Sequence, residues 1–275
     1  MNAVSSPFSH PPLPRSPLAA AAGDAATAAL LADVGVDVVI AYHSSPLRHL
    51  GLPSVSGLLP WCSANDMTLR ILPEISAAVP NTPVFATVCA SDALHPAAAM
   101  LIEVAALGAD GVLNAPTVGL LTGPVRRALE AAGLGYQREI DLMALARAHG
   151  LRAWAYAFTP GQARAMAQAG AEAVIVHLGI TQPGPVTARV TRLMVGVAEA
   201  AHSVNSQIRV LAHGGPLSTP AAFSASHRND RRGPAISYGF FGASVFERGS
   251  DLCRAVQEWR AAVDHQHPAR SAGRM

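Results

Sequence analysis

The chain contains no lysine: all 20 of its basic residues are arginines. A Schiff-base aldolase, a pyridoxal phosphate enzyme and a P-loop nucleotide site each need the amine of a lysine. Arginine does not replace it, because its guanidinium stays protonated and is a poor nucleophile. The sequence therefore excludes these three mechanisms.

Charged residues are also scarce. They make up 14% of the chain, against about 25% in an average globular protein. This scarcity favours a compact body with few solvated faces, and we expect it to bury part of its surface in a homo-oligomer. The net charge is +2, without a basic run, so neither nucleic acid nor a membrane is indicated as a partner.

Cysteine is rare as well. Cys62, Cys89 and Cys253 are widely spaced and form no C-x-x-C pair. They predict reduced thiols in a cytoplasmic protein and argue against a disulfide framework or a structural zinc site. The stretch from Leu18 to Val39 is apolar, but three aspartates interrupt it, so we expect no membrane span there.

Hydrophobic residues make up half of the chain, and they lie in short runs that alternate with alanine-rich helical segments. Parallel strands buried on both faces need such runs, with helical crossovers between them. Seven runs, together with a weaker first strand at 18–22, give eight strands. The 275 residues also suit a single-domain (β/α)8 TIM barrel, an α/β fold of about 250 residues. We expect residues 18–263 to form the barrel, and residues 1–17 and 264–275 to be disordered.

Most of the predicted strands end on a side chain that can do chemistry, and in a barrel these ends meet at one mouth. His43, His177 and His213 follow the second, sixth and seventh strands. We take His177 and His213 as candidate catalytic residues for proton transfer. A structural role for each histidine remains the alternative.

Two acidic residues and one amide complete the candidate chemistry. Glu139 is a candidate general base, with helix capping as the equal alternative. Asn114, at the end of the fourth strand, is a candidate for orienting the substrate. Asp92, after the third strand, is the candidate metal ligand, with turn capping as its alternative. The sequence shows no metal-binding spacing, so any ion would need scattered ligands.

Glycine-rich loops follow the last two strands, at Gly214-Gly215 and at Gly242-Ala243-Ser244. In many barrels these two loops hold a phosphate with their backbone amides. They predict phosphate or carboxylate binding by Gly214, Gly215, Gly242, Ala243 and Ser244. Tight turns are the alternative.

A series of stretches between about residues 35 and 248 carries a resemblance to a known family, in a single order. These stretches are Ala41–Ser44, Ser56–Pro60, Ser63–Asn65, Gly111–Gly119, Gly133–Tyr136, Ala169–Ala171, Val176–Gly179, Ala212–Pro216, Gly239–Ser244 and Glu247–Arg248. Together they resemble the phosphoenolpyruvate hydrolase-like (IGPS-like) TIM-barrel family of the phosphoenolpyruvate/pyruvate barrel superfamily.

The resemblance implies an enzyme that acts on a small anionic substrate, either phosphorylated or a keto acid, by hydrolysis or by C–C or C–P bond cleavage. It also implies substrate binding by Tyr42, Ser44, Gly57, Tyr136 and Gly179. The superfamily commonly uses a divalent cation to polarise an enolate. Mg²⁺ is therefore the implied cofactor, although the sequence shows no evident carboxylates for it.

The chain departs from the family pattern in two places. Similar proteins read Tyr-Asn-Ser-Gly-Arg where this chain has Tyr42-His43-Ser44-Ser45-Pro46, and the glycine-rich segment after the first strand is reduced to Ala22-Gly23-Asp24. The altered loop favours a second hypothesis. In it the barrel is a non-catalytic sensor or regulatory protein that binds a similar ligand without turnover.

Overall fold

A computed structural model of the chain describes residues 12–59, 62–228, 236–247 and 251–266. Eight parallel strands close into a barrel in chain order, which confirms the predicted (β/α)8 fold. The strands are β1 Leu18–Ala22, β2 Val38–Ala41, β3 Val84–Val88, β4 Gly111–Asn114, β5 Arg152–Ala157, β6 Ala173–His177, β7 Arg209–His213 and β8 Tyr238–Gly242.

Helices connect the strands. They are α1 Ala25–Asp33, α2 Ser45–His49, α3 Ala64–Ala78, α4 Ala97–Ala106, α5 Gly123–Ala131, α6 Gln137–Ala148, α7 Pro160–Gln168, α8 Ala188–His202, α9 Pro220–Arg228, α10 Ser244–Glu247 and α11 Leu252–Asp264. Short 3-10 helices lie at Ser54–Leu58 and Val118–Leu120. In the described part of the chain, no helix has the length and hydrophobicity to cross a bilayer.

Every strand is buried on both faces, and its side chains alternate between two separate cores. On β6, Ala173 and Ile175 belong to the cluster inside the barrel. Val174 and Val176 belong to the cluster between the strands and the helices. The same alternation turns the side chain of His177 inward. The position of a residue along its strand therefore decides whether it can reach the mouth of the barrel.

The chain that precedes β1 packs against the end of the barrel where the strands begin. Leu13 is buried in the interior cluster, and its carbonyl oxygen accepts a hydrogen bond of 2.7 Å from Nη2 of Arg209. Residues 12–17, which fall in the segment expected to be disordered, thus contact the barrel. The rest of that segment, 1–11, and most of the expected tail, 267–275, lie outside the described residues.

Candidate functional site

A pocket opens at the ends of the strands, on the side where the loops lead into the helices. Its cavity volume is about 60 Å³. At roughly 10–15 Å³ per water molecule, this volume holds about four to six waters, comparable in heavy atoms to a small organic acid. The pocket is lined by Tyr42, His43, Ser44, Arg48, Val55, Gly57, Leu58, Pro116, Thr117, Leu120, Tyr156, His177, Gly179, Ile180, Thr181, His213, Ala243 and Ser244.

His177 and His213 lie side by side in this pocket. They are register partners at the ends of β6 and β7, and their ring centroids are 4.8 Å apart. Both strands turn these side chains inward, because Ile175 and Leu211, two residues earlier, belong to the interior cluster. The parallel register therefore brings together two histidines that are 36 positions apart in the sequence.

Backbone hydrogen bonds fix the two imidazoles in opposite tautomers. Nδ1 of His213 lies 2.9 Å from the carbonyl oxygen of Phe241, which can only accept, so this Nδ1 carries the proton and Nε2 is a lone-pair acceptor. Nδ1 of His177 accepts from the backbone N–H of Gly179 at 3.1 Å, so its proton resides on Nε2. The pair thus presents one acceptor and one donor.

Burial keeps both imidazoles neutral. It lowers the pKa of His213 to about 4. Burial, reinforced by the neighbouring His213, also holds the pKa of His177 well below its usual value. A neutral imidazole is either a hydrogen-bond donor or a proton acceptor at each nitrogen, and here those roles are already divided between the two rings.

Aromatic side chains form the floor around the histidines. The Tyr156 ring lies 4.7 Å from His177 and 5.3 Å from His213, measured between centroids. Its hydroxyl is 3.4 Å from the hydroxyl of Tyr42. Burial raises the pKa of Tyr156 well above its usual value, so the phenol stays protonated. The floor is therefore apolar, apart from a few fixed hydroxyl and imidazole groups.

Arg48 is a pocket residue that the sequence analysis did not single out. It lies on α2, in the long connection after β2, and it is only 6% exposed. Ser44 and Ser45 accept hydrogen bonds of 2.7 and 2.8 Å from its two terminal nitrogens. Among the described residues that line the pocket, it is the one that carries a formal charge.

The glycines after β6 and β7 hold two loops together. Gly214 and Gly215 have positive φ angles of 75° and 56°. A Cβ on Gly214 would lie 2.2 Å from the carbonyl oxygen of Gly179, and one on Gly215 would lie 2.6 Å from that of Leu178. The N–H of Gly215 donates to the Gly179 carbonyl at 2.9 Å. The backbone N–H of Gly215, which was predicted to bind an anion, therefore bonds to a carbonyl oxygen of the protein.

Glu139 and Asn114 lie behind the pocket wall. Asn114 is directed outward, because it shares its strand face with Val112 of the outer core. Its amide donates to Glu139, and its carbonyl oxygen accepts from the Tyr156 N–H at 2.7 Å. Glu139 also accepts from the Thr117 hydroxyl at 2.7 Å. Burial raises the pKa of Glu139 to about 7.

Tyr136 belongs to the same layer behind the pocket. Its hydroxyl donates to the carbonyl oxygen of Tyr156 at 2.5 Å, and it does not line the pocket. Asn114 thus bonds the backbone N–H of Tyr156, and Tyr136 bonds its carbonyl oxygen. This arrangement supports the strand end that carries the pocket floor.

Asp92 lies in a network away from the pocket. Its carboxylate accepts hydrogen bonds from Ser63 at 3.2 Å, Asn65 at 3.1 Å and the Leu94 N–H at 2.9 Å. It also contacts Nδ1 of His95 at 2.9 Å. These contacts match the turn-capping alternative.

The residues present do not fit a Mg²⁺ site. Mg²⁺ prefers carboxylate oxygens, and the described residues that line the pocket include no aspartate or glutamate. In the described part of the chain, no group of three histidine, cysteine, aspartate or glutamate residues is arranged to hold a metal.

The structure gathers eight of the predicted site residues around the pocket and leaves the others outside its lining. Those that line it are Tyr42, Ser44, Gly57, His177, Gly179, His213, Ala243 and Ser244. Those outside are Asp92, Asn114, Tyr136, Glu139, Gly214, Gly215 and Gly242. Arg48, Thr117 and Tyr156 line the pocket and were not among the predictions.

The fold and the pocket define a TIM barrel with a small cleft at the carboxyl ends of its strands. A family model described as phosphoenolpyruvate hydrolase-like matches residues 15–259. The chain belongs to this family, as the resemblance predicted.

Among curated relatives, two tomato (Solanum lycopersicum) proteins are similar to this chain. The ToMV susceptible protein tm-1(GCR26) and the ToMV resistance protein Tm-1(GCR237) are each 37% identical to it over 223 residues. The aligned region covers 78% of this chain and 29% of each tomato protein. The chain thus spans less than a third of the length of these relatives.

Solved structures share the fold at low sequence identity. Phosphonopyruvate hydrolase in complex with oxalate and Mg²⁺ aligns with a TM-score of 0.56 and 15% identity, over 94% of this chain and 85% of that chain. Thiamine phosphate pyrophosphorylase from Pyrococcus furiosus aligns with a TM-score of 0.52 and 14% identity, over 92% and 98% of the two chains. At these identities the comparison supports the barrel fold alone.

Proposed function

We propose that the barrel is an enzyme that cleaves a small anionic keto acid or phosphorylated acid, by hydrolysis or by C–C or C–P bond cleavage. The observation that carries this proposal is the pair of neutral histidines with opposite tautomers. Nε2 of His213 is a proton acceptor, and Nε2–H of His177 is a donor. Family membership and the small volume of the pocket support the substrate class.

The two imidazoles suit different steps of a cleavage. Nε2 of His213 takes a proton from the attacking water or from a substrate hydroxyl, while Nε2–H of His177 donates to the oxygen that gains negative charge. When the bond breaks, the imidazolium of His213 returns the proton to the leaving group. A bound anion raises the pKa of His213 toward the working pH and makes it a better base.

Glu139, Asn114 and Tyr136 act in this proposal as positioning residues. They hold the end of β5 and the loop after β4, and through these they fix the ring of Tyr156 against both histidines. Their removal should loosen the site without removing a reacting group.

Two matched variants test the proposal. In His213→Asn the amide nitrogen takes the place of Nδ1 and can still donate to Phe241, and in His177→Asn the amide oxygen can still accept from Gly179. Each change keeps a polar atom in the place of Nδ1 and removes Nε2 together with the rest of the ring. Wild type is first screened for thermal stabilisation by phosphoenolpyruvate, oxaloacetate and related acids, and then for release of phosphate or pyruvate.

We expect each variant to lose about 10²- to 10⁴-fold in kcat while it keeps its affinity for the acid that stabilises wild type. Turnover that survives both substitutions would refute the assignment of the histidines. Loss of binding along with turnover would instead indicate that the imidazoles only hold the anion.

A sensor that binds the same class of ligand without turnover is the second candidate. It is favoured by the altered loop at His43, and by the low pKa of about 4 that burial imposes on His213, which makes a weak base. Stabilisation by an acid, with no product released from any acid in the panel, would support the sensor over the enzyme.

A further inference from the structure

Arg48 gives the pocket its positive charge. The other described residues that line the pocket are neutral or apolar. Burial is the main cause of the low pKa values of His43 and His213, but the charge on Arg48 contributes to both. The field of the guanidinium therefore extends across the pocket to the proposed base.

The neighbours of Arg48 fix the orientation of its planar guanidinium group. The two serine hydroxyls accept from different terminal nitrogens, and Cζ lies 5.2 Å from the centre of the Tyr42 ring. A guanidinium held at several points loses little freedom when a ligand binds, so its hydrogen-bonding geometry is set in advance.

Two glycines let neighbouring loops close on these serines. A Cβ on Gly57 would lie 2.5 Å from Cβ of Ser44, and a Cβ on Gly23 would lie 2.7 Å from Cβ of Ser45. The loop after β1 and the loop after β2 thus both pack against the residues that hold Arg48. This packing buries the cation in the wall of the pocket.

We propose that Arg48 binds the carboxylate of the substrate, so that the pocket takes a small keto carboxylic acid whose carbonyl group lies toward His177 and His213. The planar guanidinium matches a carboxylate, and the attraction is strong at a site of low dielectric constant. The cavity of about 60 Å³ suits such an acid. The inference rests on the proposed function and names the group that its substrate must carry.

Pyruvate and its neutral amide, pyruvamide, test the inference because they have nearly the same shape and differ in charge. Their dissociation constants are measured by calorimetric titration on wild type, Arg48→Gln and Arg48→Lys. Arg260→Gln is the matched control, since Arg260 pairs with Asp37 before β2, at the opposite end of the barrel. The ratio of the two constants within each variant reports on charge recognition even where the variant is less stable.

We expect wild type and Arg260→Gln to prefer pyruvate by about tenfold to a hundredfold. This preference should fall to about one in Arg48→Gln and take an intermediate value in Arg48→Lys, which keeps the charge and loses the planar geometry.

A preference for pyruvate that is unchanged in Arg48→Gln would overturn the inference while leaving the proposed function standing, with the anion held elsewhere. A wild type that binds pyruvate and pyruvamide equally would also overturn the inference. Inorganic phosphate is titrated on wild type in the same way. A wild type that binds phosphate but neither pyruvate nor pyruvamide would overturn both the keto-acid class and the role of Arg48 as its carboxylate partner.

Discussion

Acidification should destabilise the barrel through its buried neutral histidines. Burial lowers the pKa of His213 from 6.5 to about 4 in the folded protein. Below about pH 6.5 the unfolded chain takes up a proton that folded His213 refuses, so the free energy of unfolding falls between about pH 6.5 and pH 4. Above this window the histidine is neutral in both states and contributes no pH dependence.

The expected size of this effect follows from the shift. Between about pH 6.5 and pH 5, His213 is protonated in the unfolded chain and neutral in the folded protein. This interval spans about 1.5 pH units, and each unit lowers the free energy of unfolding by about 1.4 kcal/mol. At about pH 5, His213 alone therefore lowers the free energy of unfolding by about 2 kcal/mol relative to pH 7. Urea unfolding of wild type and His213→Asn at about pH 7 and pH 5 isolates this contribution from that of the other titrating groups.

We expect the loss of unfolding free energy between the two pH values to be smaller in His213→Asn by about 2 kcal/mol. His149→Asn, which changes an exposed histidine after α6, is the control and should behave like wild type. Equal losses in wild type and His213→Asn would refute the claim that folded His213 resists protonation.

Two further predictions concern the residues that support the site. Glu139→Gln replaces a carboxylate that accepts from Asn114, Thr117 and a backbone N–H, and urea unfolding should show a loss of about 1–3 kcal/mol; an unchanged midpoint would contradict this network. Gly215→Ala should cost about 1–2 kcal/mol of backbone strain and about 1–3 more for the contact with the carbonyl oxygen 2.6 Å away. Gly150→Ala, at φ 74° with nothing within 4 Å, should cost the strain alone, and equal losses would refute the steric argument.

The sequence predicted the barrel and the meeting of His177 with His213, because the two features have a simple physical basis. Continuous apolar runs that alternate with helical segments predict parallel strands, and parallel strands bring their carboxyl ends to one mouth. The observed register then places His177 beside His213.

The face on which Asn114 lies could not be predicted from hydrophobicity. In a strand that is buried on both faces, inward and outward positions are equally apolar, so the period of two leaves no mark in the sequence. Leu113 belongs to the interior core and Val112 to the outer core, and this parity directs Asn114 away from the pocket.

Arg48 was missed for a different reason. It belongs to a connection that has no strong periodicity, and its place in the pocket depends on how that connection folds back between the loops that follow β1 and β2. Such packing depends on contacts with residues distant in sequence, as with Ser45 against Gly23. The available signal in the sequence was an arginine in the connection after a strand, in a chain with few charged residues.

The tautomers of His177 and His213 are the most direct test of the account. Nitrogen-15 NMR of the histidine rings at about pH 7 distinguishes a protonated from a lone-pair nitrogen at each position. We predict two neutral rings, with the proton on Nδ1 in His213 and on Nε2 in His177. The same tautomer in both rings, or an imidazolium in either, would contradict the division of donor and acceptor on which the proposed chemistry depends.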